Sequence, residues 1–275
     1  MARVDEFVEA RIPVGLHPFV SSMAGYRVEG AGPGTHIGMP SGSITLIISL
    51  DQPLDLLGAD GRQDSFDTAV AGLHARPAHI HHDGRQHGIE LGLTPSGAAQ
   101  LVGGPAGELA GTSVDLDAFL GPRARHLHEQ VSETSGWAQR FALVTSALFA
   151  DAEPRWQPRA EVAHAWRMIE GSRGRLPIGE VAREVGWSPR HLAQQFRREY
   201  GHTPKTTARV LRFEEGRSLI AAGRSLVDAA TAAGYADQSH LNRDWLDLAG
   251  TSPTRWLRED EIAFVQDASP GSSTP

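Results

Sequence analysis

A unit of helix, glycine corner and second helix occurs twice in the C-terminal half of this chain, and that repetition restricts the fold more than any other feature. The first copy lies in VAREVGWSPRHLAQQFRREYGHTP, Val181 to Pro204. Gly186 can supply the positive φ of a tight corner. Ser188 suits an N-cap and Pro189 the first helical position. Leu192 and Phe196, four apart, share one face and turn toward Val181 and Val185. The second copy lies in SLVDAATAAGYADQSHLNRDWLDLAGTSP, Ser225 to Pro253. There Gly234 is the corner and Asp237 the N-cap, while Val227, Ala230 and Ala233 take the inward positions of the first helix. Leu241 and Trp245 repeat the spacing of Leu192 and Phe196, and the copies are 49 residues apart counted from Leu192 to Leu241. Between them PKTTARVLRFEEGRSLIAAG reads as one long connecting helix.

The outward positions of the second helix in each copy are rich in Arg, Gln, His and Asn. Arg and Gln are the side chains that pair bidentately with guanine and adenine edges in a major groove. The chain as a whole opposes such a use, with a formal net charge of −7. Its charge is uneven, however. Residues 1–158 hold 10 Arg against 18 acids, a net of −8, whereas Ser172 to Ser225 holds 11 basic residues against 5 acids, a net of +6. Attraction to phosphate depends on the local field, screened over about 8 Å at physiological salt. A basic island can therefore bind DNA inside an acidic protein.

The first 120 residues read as mostly β. SITLIISL alternates Ile44, Leu46, Ile48 and Leu50 against smaller neighbours, the mark of a half-buried strand. AVAGLHARPAHIHH and HGIELGLTP flank Asp83-Gly84, which predicts a two-residue hairpin pairing His82 with Arg85 and Ile80 with His87. Short strands between Gly, Pro and Asp turns suggest a small barrel or sandwich. After Gly121-Pro122 the spacing becomes helical: Leu127 and Val131, then Phe141, Val144 and Leu148. The last three make an apolar stripe suited to a two-fold interface, so residues 121–150 are expected to form a homodimer. DAEPRWQPRA, with two Pro in ten residues, marks a linker over 151–160.

The paired units resemble the AraC/XylS family of transcription regulators over about Arg159 to Arg258. The resemblance is carried by VAREVGWSPRHLAQQFRREYGHTP, by RFEEGRSLI and by AAGYADQSHLNRDW with GTSP. The β half resembles, more loosely, the cupin-like sensing and dimerisation part of such regulators, through MPSGSITLIISL and GIELGLTPSGAAQLVGGPAGEL. The resemblance implies an α+β chain of two domains, a small cupin-like β-barrel with helices followed by an all-α double helix-turn-helix. The expected division is a sensor over 1–120, dimerisation helices over 121–150, the linker, a DNA-binding domain over 161–258 and a disordered tail over 259–275. It also implies two recognition helices in successive major grooves, contacting DNA through Arg190, Ala193, Gln194 and Arg197 in the first and Ser239, His240, Asn242 and Arg243 in the second; the outward positions His191 and Arg198 of the first helix are added as DNA-binding candidates from their spacing. Ala193 stands where a longer polar side chain is common. Asp244 and Asp247 would repel phosphate if exposed, which predicts a weaker second unit.

The expected partners are double-stranded DNA, a small-molecule effector, RNA polymerase and a second copy of the chain. The alternative is a DNA-binding protein, constitutive or controlled by a protein partner, whose N-terminal half only dimerises. An enclosed cavity with convergent polar groups would favour the effector. His79, His81 and Glu90 are placed on the outer face opposite Ile80, Ile89, Leu91 and Leu93, and no metal or other cofactor is expected there. The chain has no Cys, which excludes disulfides, thiolate nucleophiles and Cys-based zinc fingers together and is compatible with a reducing cytosol. No Gly-rich phosphate loop or nucleophile elbow appears, so no enzyme is expected. MARVDEFVEARIPVG carries early acids and no apolar stretch, so no secretory leader is expected, and the longest apolar run, Ile44 to Leu50, is far short of the ~20 residues a membrane span needs.

Overall fold

The computed structural model describes residues 4–58, 61–149 and 156–259. Ten strands come first: β1 Val4–Glu9, β2 Val20–Glu29, β3 Gly34–Gly38, β4 Ile44–Ser49, β5 Leu54–Leu57, β6 Gln63–Phe66, β7 Thr68–Ala71, β8 Ala78–His82, β9 Gln86–Leu93 and β10 Ser113–Asp115. They form two antiparallel sheets, one of six strands in the order β1-β2-β9-β4-β7-β10 and one of four in the order β3-β8-β5-β6. Helices α1 Pro95–Val102, α2 Asp117–Leu120, α3 Pro122–Glu133 and α4 Trp137–Phe149 accompany them. The rest of the described chain is helical: α5 Ala160–Gly171, α6 Ile178–Glu184, α7 Pro189–Tyr200, α8 Pro204–Ala221, α9 Leu226–Ala232, α10 Gln238–Ala249 and α11 Pro253–Glu259. The chain is thus an α+β fold with an N-terminal sheet half and a C-terminal helical half.

The alternation read in SITLIISL is real, but its apolar face points elsewhere than expected. Ile44, Leu46 and Ile48 pair with Leu93, Leu91 and Ile89, and all six are fully buried. They join a core with Leu127, Val131, Phe141 and Val144, so this face of the large sheet is covered by α3 and α4. Trp137 of α4 lies so close over Gly25 that a Cβ there would fall 2.2 Å from the indole ring. Its Nε1 donates to Glu6 Oε1 at 2.9 Å. The stripe of Phe141, Val144 and Leu148 is spent on this packing: Phe141 and Val144 are buried within their own chain and Leu148 half-buried against the same core. The expected dimer loses the surface that suggested it.

The predicted hairpin at Asp83-Gly84 does not form. β8 pairs with β3 and β5, and β9 with β2 and β4, so the turn carries the chain from one sheet to the other. Turn residues specify a reversal; they do not decide which neighbour each strand chooses. The reassignment scatters the expected trio. His79 and His81 lie on β8 in the small sheet, where Ile80 is buried between the sheets. Glu90, on β9, lines the space between the sheets together with Thr45, Ile47, Ala69 and Ala71. Among the described residues no group of three acids and histidines could hold a metal.

Pro95 to Val102, read as part of a β region, is a helix capped by the Thr94 hydroxyl, which accepts from Gly97 N at 3.0 Å. Thr before Pro is a helix start, and that signal was present in the sequence. Half of the expected linker, residues 151–155, falls outside the described residues, and its last position, Ala160, already belongs to α5. At its described end, Trp156 Nε1 donates to Glu199 Oε1 at 2.6 Å, tying it to α7. Of the expected tail over 259–275, residue 259 is the last of α11 and the remainder lies outside the described residues. No described helix is long and apolar enough to cross a membrane.

Candidate nucleic-acid interface

The two helix-corner-helix units are built as the repeat predicts. In the first, Gly186 has φ +73° and closes the corner after α6. Ser188 Oγ then accepts from His191 N at 3.2 Å, and Pro189 opens α7. Leu192 and Phe196 are fully buried. Phe196 stacks on Trp166 of α5 with centroids 5.8 Å apart and meets Tyr200 edge-on at 4.7 Å, which locks α7 onto α5. The opposite face carries Arg190, Gln194, Arg197 and Arg198, all exposed, with His191 and Ala193 half-buried at its edges. A helix with so marked a division is fixed by its apolar side and free to work with its polar one.

In the second unit Gly234 has φ +81°, and Asp237 Oδ1 accepts from His240 N at 2.7 Å to start α10. Leu241 and Trp245 are fully buried, and Trp245 lies 5.0 Å from Phe213 and 5.3 Å from Trp256. Ser239, Asn242 and Arg243 are exposed, and His240 is half-buried against Tyr235 at 5.1 Å. One inward position was misassigned. Val227 is 58% exposed, and its place in the core belongs to Ala229, which is fully buried with Ala230 and Ala233. Valine is the more apolar residue, but the turn of α9 faces the core with the smaller ones.

Asp244 and Asp247 are not the unopposed charges their positions suggested. Arg209 of α8 donates from Nε to Asp244 Oδ1 at 2.8 Å and from Nη2 to Asp247 Oδ2 at 2.7 Å. Together the two carboxylates hold the Arg209 guanidinium above its ordinary value against the opposing effect of its burial. One arginine thus fastens α10 to the connecting helix and cancels half of its acid. Nothing in the local sequence signals a bond between residues 35 and 38 apart.

Both units also rest on the sheet half. Gly201, after α7, packs on Ala110, and His202 Nε2 donates to Leu73 O at 2.9 Å. Pro77 lies against Gly250 after α10. Between them, Gly42 N donates to Glu214 Oε2 of α8 at 3.1 Å, and Leu211 packs over Gly42. His202 is pushed down from its ordinary value, first by burial and then by Arg197, against the carbonyl of Leu73. Burial lowers His74 nearby in the same way, and His202 adds to it.

Residues 161–259 match a protein-family model described as a helix-turn-helix domain. This segment is an AraC-type helix-turn-helix domain. Over 66 residues the chain is 30% identical to a curated protein of Bacillus subtilis (strain 168) named as an uncharacterized HTH-type transcriptional regulator, YbfI. That match spans only 24% of the relative's length. Among solved structures, ToxT from Vibrio cholerae with an unsaturated fatty acid bound superposes with a TM-score of 0.55 at 9% identity, covering 88% of this chain and 96% of that one. ToxT bound to (E)-4-(8-methylnaphthalen-1-yl)but-3-enoic acid gives 0.52 at 11% identity over 85% and 96%. At these identities the likeness is of the fold. That likeness of fold covers the sheet half as well as the helical half.

The sheet half of the chain contains a cavity of about 420 Å³. Ile37, Met39, Ile47, Leu54, Leu56 and Ile80 give it an apolar wall. His36, Arg62, Asp64, His74, Glu90 and Glu108 contribute polar groups, and so does Arg217, which comes from α8. The connecting helix of the AraC-type domain therefore forms part of the cavity wall. That placement was not legible in the sequence, where Arg217 reads as one more base in the positive island.

Proposed function

We propose that this chain is a transcription regulator that reads duplex DNA through α7 and α10 and is gated by a small organic molecule held between its two sheets. The observation that carries the first part is the pair of capped, buried-backed helices whose exposed faces are Arg190, Gln194, Arg197 and Arg198 on one and Ser239, Asn242 and Arg243 on the other. Arg190 and Gln194 stand near the N-terminal half of α7, the end that meets base edges in such motifs. Arg197 and Arg198 are suited to phosphates. His191, Ala193 and His240, half-buried, give the shape of the contact rather than its charge.

The cavity supports the second part. Its volume falls within the ~300–1,000 Å³ of ligand pockets, and it combines an apolar wall with convergent polar groups. A core filled by side chains would have favoured control by abundance or by a protein partner. In this reading the two facing sheets act as a cupin-like, barrel-shaped sensor. ToxT structures hold organic acids with apolar bodies, and a molecule of that kind fits the size and the wall of this cavity. Because Arg217 lies on the helix between the two units, a ligand that touches it acts directly on their separation and angle. In this reading the protein acts in the cytoplasm. One chain presents both heads to one DNA site, and a second copy or RNA polymerase would engage surfaces other than the buried α4 stripe.

The test is a pair of titrations of the full chain, with a ligand found by thermal-shift screening and a DNA site selected from random duplexes. Reciprocity requires the DNA to change the ligand's affinity by the factor by which the ligand changes the DNA's, typically 5–150-fold, about 1–3 kcal/mol. Arg217→Ala is expected to abolish that coupling while leaving DNA binding itself in place. Equal ligand affinity with and without DNA would sink the gating claim, and failure to select any sequence would sink the DNA-reading claim.

A further inference from the structure

We infer that Arg159 is a backbone-phosphate contact of the first reading head, presented there by Trp187. The inference rests on the DNA-reading proposal above and names a residue outside the two recognition helices. Arg159 immediately precedes α5, and its side chain is 58% exposed. Its guanidinium carbon lies 5.1 Å from the centre of the Trp187 ring, within cation–π range. Trp187 belongs to the corner between α6 and α7, where its backbone N donates to Ala182 O at 2.9 Å. The indole in turn meets His191 nearly perpendicularly, with centroids 4.7 Å apart. His191 is in the first turn of α7 and is fixed by the Ser188 cap.

Three planar groups thus run in series from the start of α5 to the N-terminal turn of the recognition helix. The arrangement holds a cation beside the end of α7 that enters the groove, 31 residues away in sequence from Arg190. A guanidinium restrained on an aromatic face has less freedom to lose when it binds a phosphate than an arginine on a mobile arm. Its charged neighbour is Glu161, with Oε2 at 3.7 Å from Arg159 Nε, at the outer edge of an ion pair. A DNA phosphate would compete with that carboxylate. An arginine that served only to cover Trp187 would share the stacking geometry but leave no trace in salt dependence.

That difference provides the experiment. The affinity of the full chain is measured on duplex DNA of random sequence and on a selected site, across about 50–200 mM salt. Each phosphate neutralised contributes about 0.9 to the slope of log affinity against log salt. Arg159→Ala should lower the slope by about that amount and weaken both DNAs alike, because a phosphate carries no sequence information. Arg159→Lys should restore the slope. Glu161→Gln should tighten binding to both DNAs. An unchanged slope in Arg159→Ala, or a loss confined to the selected site, overturns the inference. Should Arg159→Ala melt early, Glu161→Gln decides: a failure to tighten binding overturns it equally. Wild-type protein with no salt-dependent DNA binding would instead refute the DNA-reading proposal.

Discussion

The two helix-turn-helix units share a plan and differ in how their recognition helices are charged. The first lies within an island of net +6, and α7 ends in Arg197 and Arg198. The second belongs to residues 226–275, with 3 Arg against 8 acids, a net of −5. Its helix keeps two carboxylates that the first lacks, and Arg209 holds both. In the reading proposed above, the first head is equipped to attract DNA, whereas the second is equipped to be held still. Position on the connecting helix is part of what the second head offers.

The largest test of this contrast is removal of the aromatic that seats each head. Phe196→Ala and Trp245→Ala should each cost about 3–5 kcal/mol, read by denaturant unfolding of the full chain. Phe196 belongs to the core that runs into the sheet half, while Trp245 belongs to a smaller cluster with Phe213 and Trp256. Loss of Trp245 should therefore leave protection from hydrogen exchange in α5 to α7 intact, and uniform loss across both units would break the comparison. Next in size is base reading. Arg190→Ala should cost about 1–3 kcal/mol on the selected site and relax preference at one position. An equal loss on all sequences would make Arg190 a phosphate contact.

Smaller effects sharpen the account of the second head. Asp247 is 70% exposed although it meets Arg209, and an exposed pair contributes about 0.2–1 kcal/mol. Asp247→Asn should cost little stability and strengthen DNA binding several-fold at low salt, since it removes a negative charge from α10. Unchanged affinity would place Asp247 away from the backbone. Asp244, the less exposed partner at 13%, should behave oppositely, with Asp244→Asn loosening α10 from α8.

The smallest effect expected is that of pH on the contact between the halves. His74 and His202 both have folded values pushed below the ordinary ~6.5. The unfolded chain therefore takes up protons first as pH falls. The stability these residues contribute is complete above about 6.5 and is lost as pH drops toward the depressed folded values. His202→Asn can keep a donor toward Leu73 O and should flatten the melting temperature between about pH 7 and 5. An equally steep profile would assign the acid sensitivity to other groups.

What the sequence disclosed follows the range of the interactions involved. Caps, corners and four-residue spacings are local, so Ser188, Gly186, Asp237 and the pairs Leu192/Phe196 and Leu241/Trp245 were all readable. Strand alternation was readable too, but not which layer it would face: Ile89 turned to the helices and Glu90 to the cavity because the covering layer is chosen by tertiary packing. Arg209 and Arg217 looked alike in the positive island. One closes on two aspartates of α10 and the other reaches the cavity, a distinction made only once α8 is set against its neighbours.

Helix α8 serves four neighbours at once. Arg209 faces α10, Leu211 and Glu214 face the Gly42 turn, Phe213 enters the second core and Arg217 borders the cavity. Such a helix is a poor place to cut. A chimera joined at the obvious seam between Phe149 and Trp156 would carry the sheets of one protein onto the α8 of another, and would inherit a cavity missing one of its own walls. Under the gating proposed above, exchange of effector response between relatives should therefore require Leu211, Glu214 and Arg217 to travel with the sheets. A change of effector and a change of operator spacing would meet as competing demands on a single stretch of 18 residues.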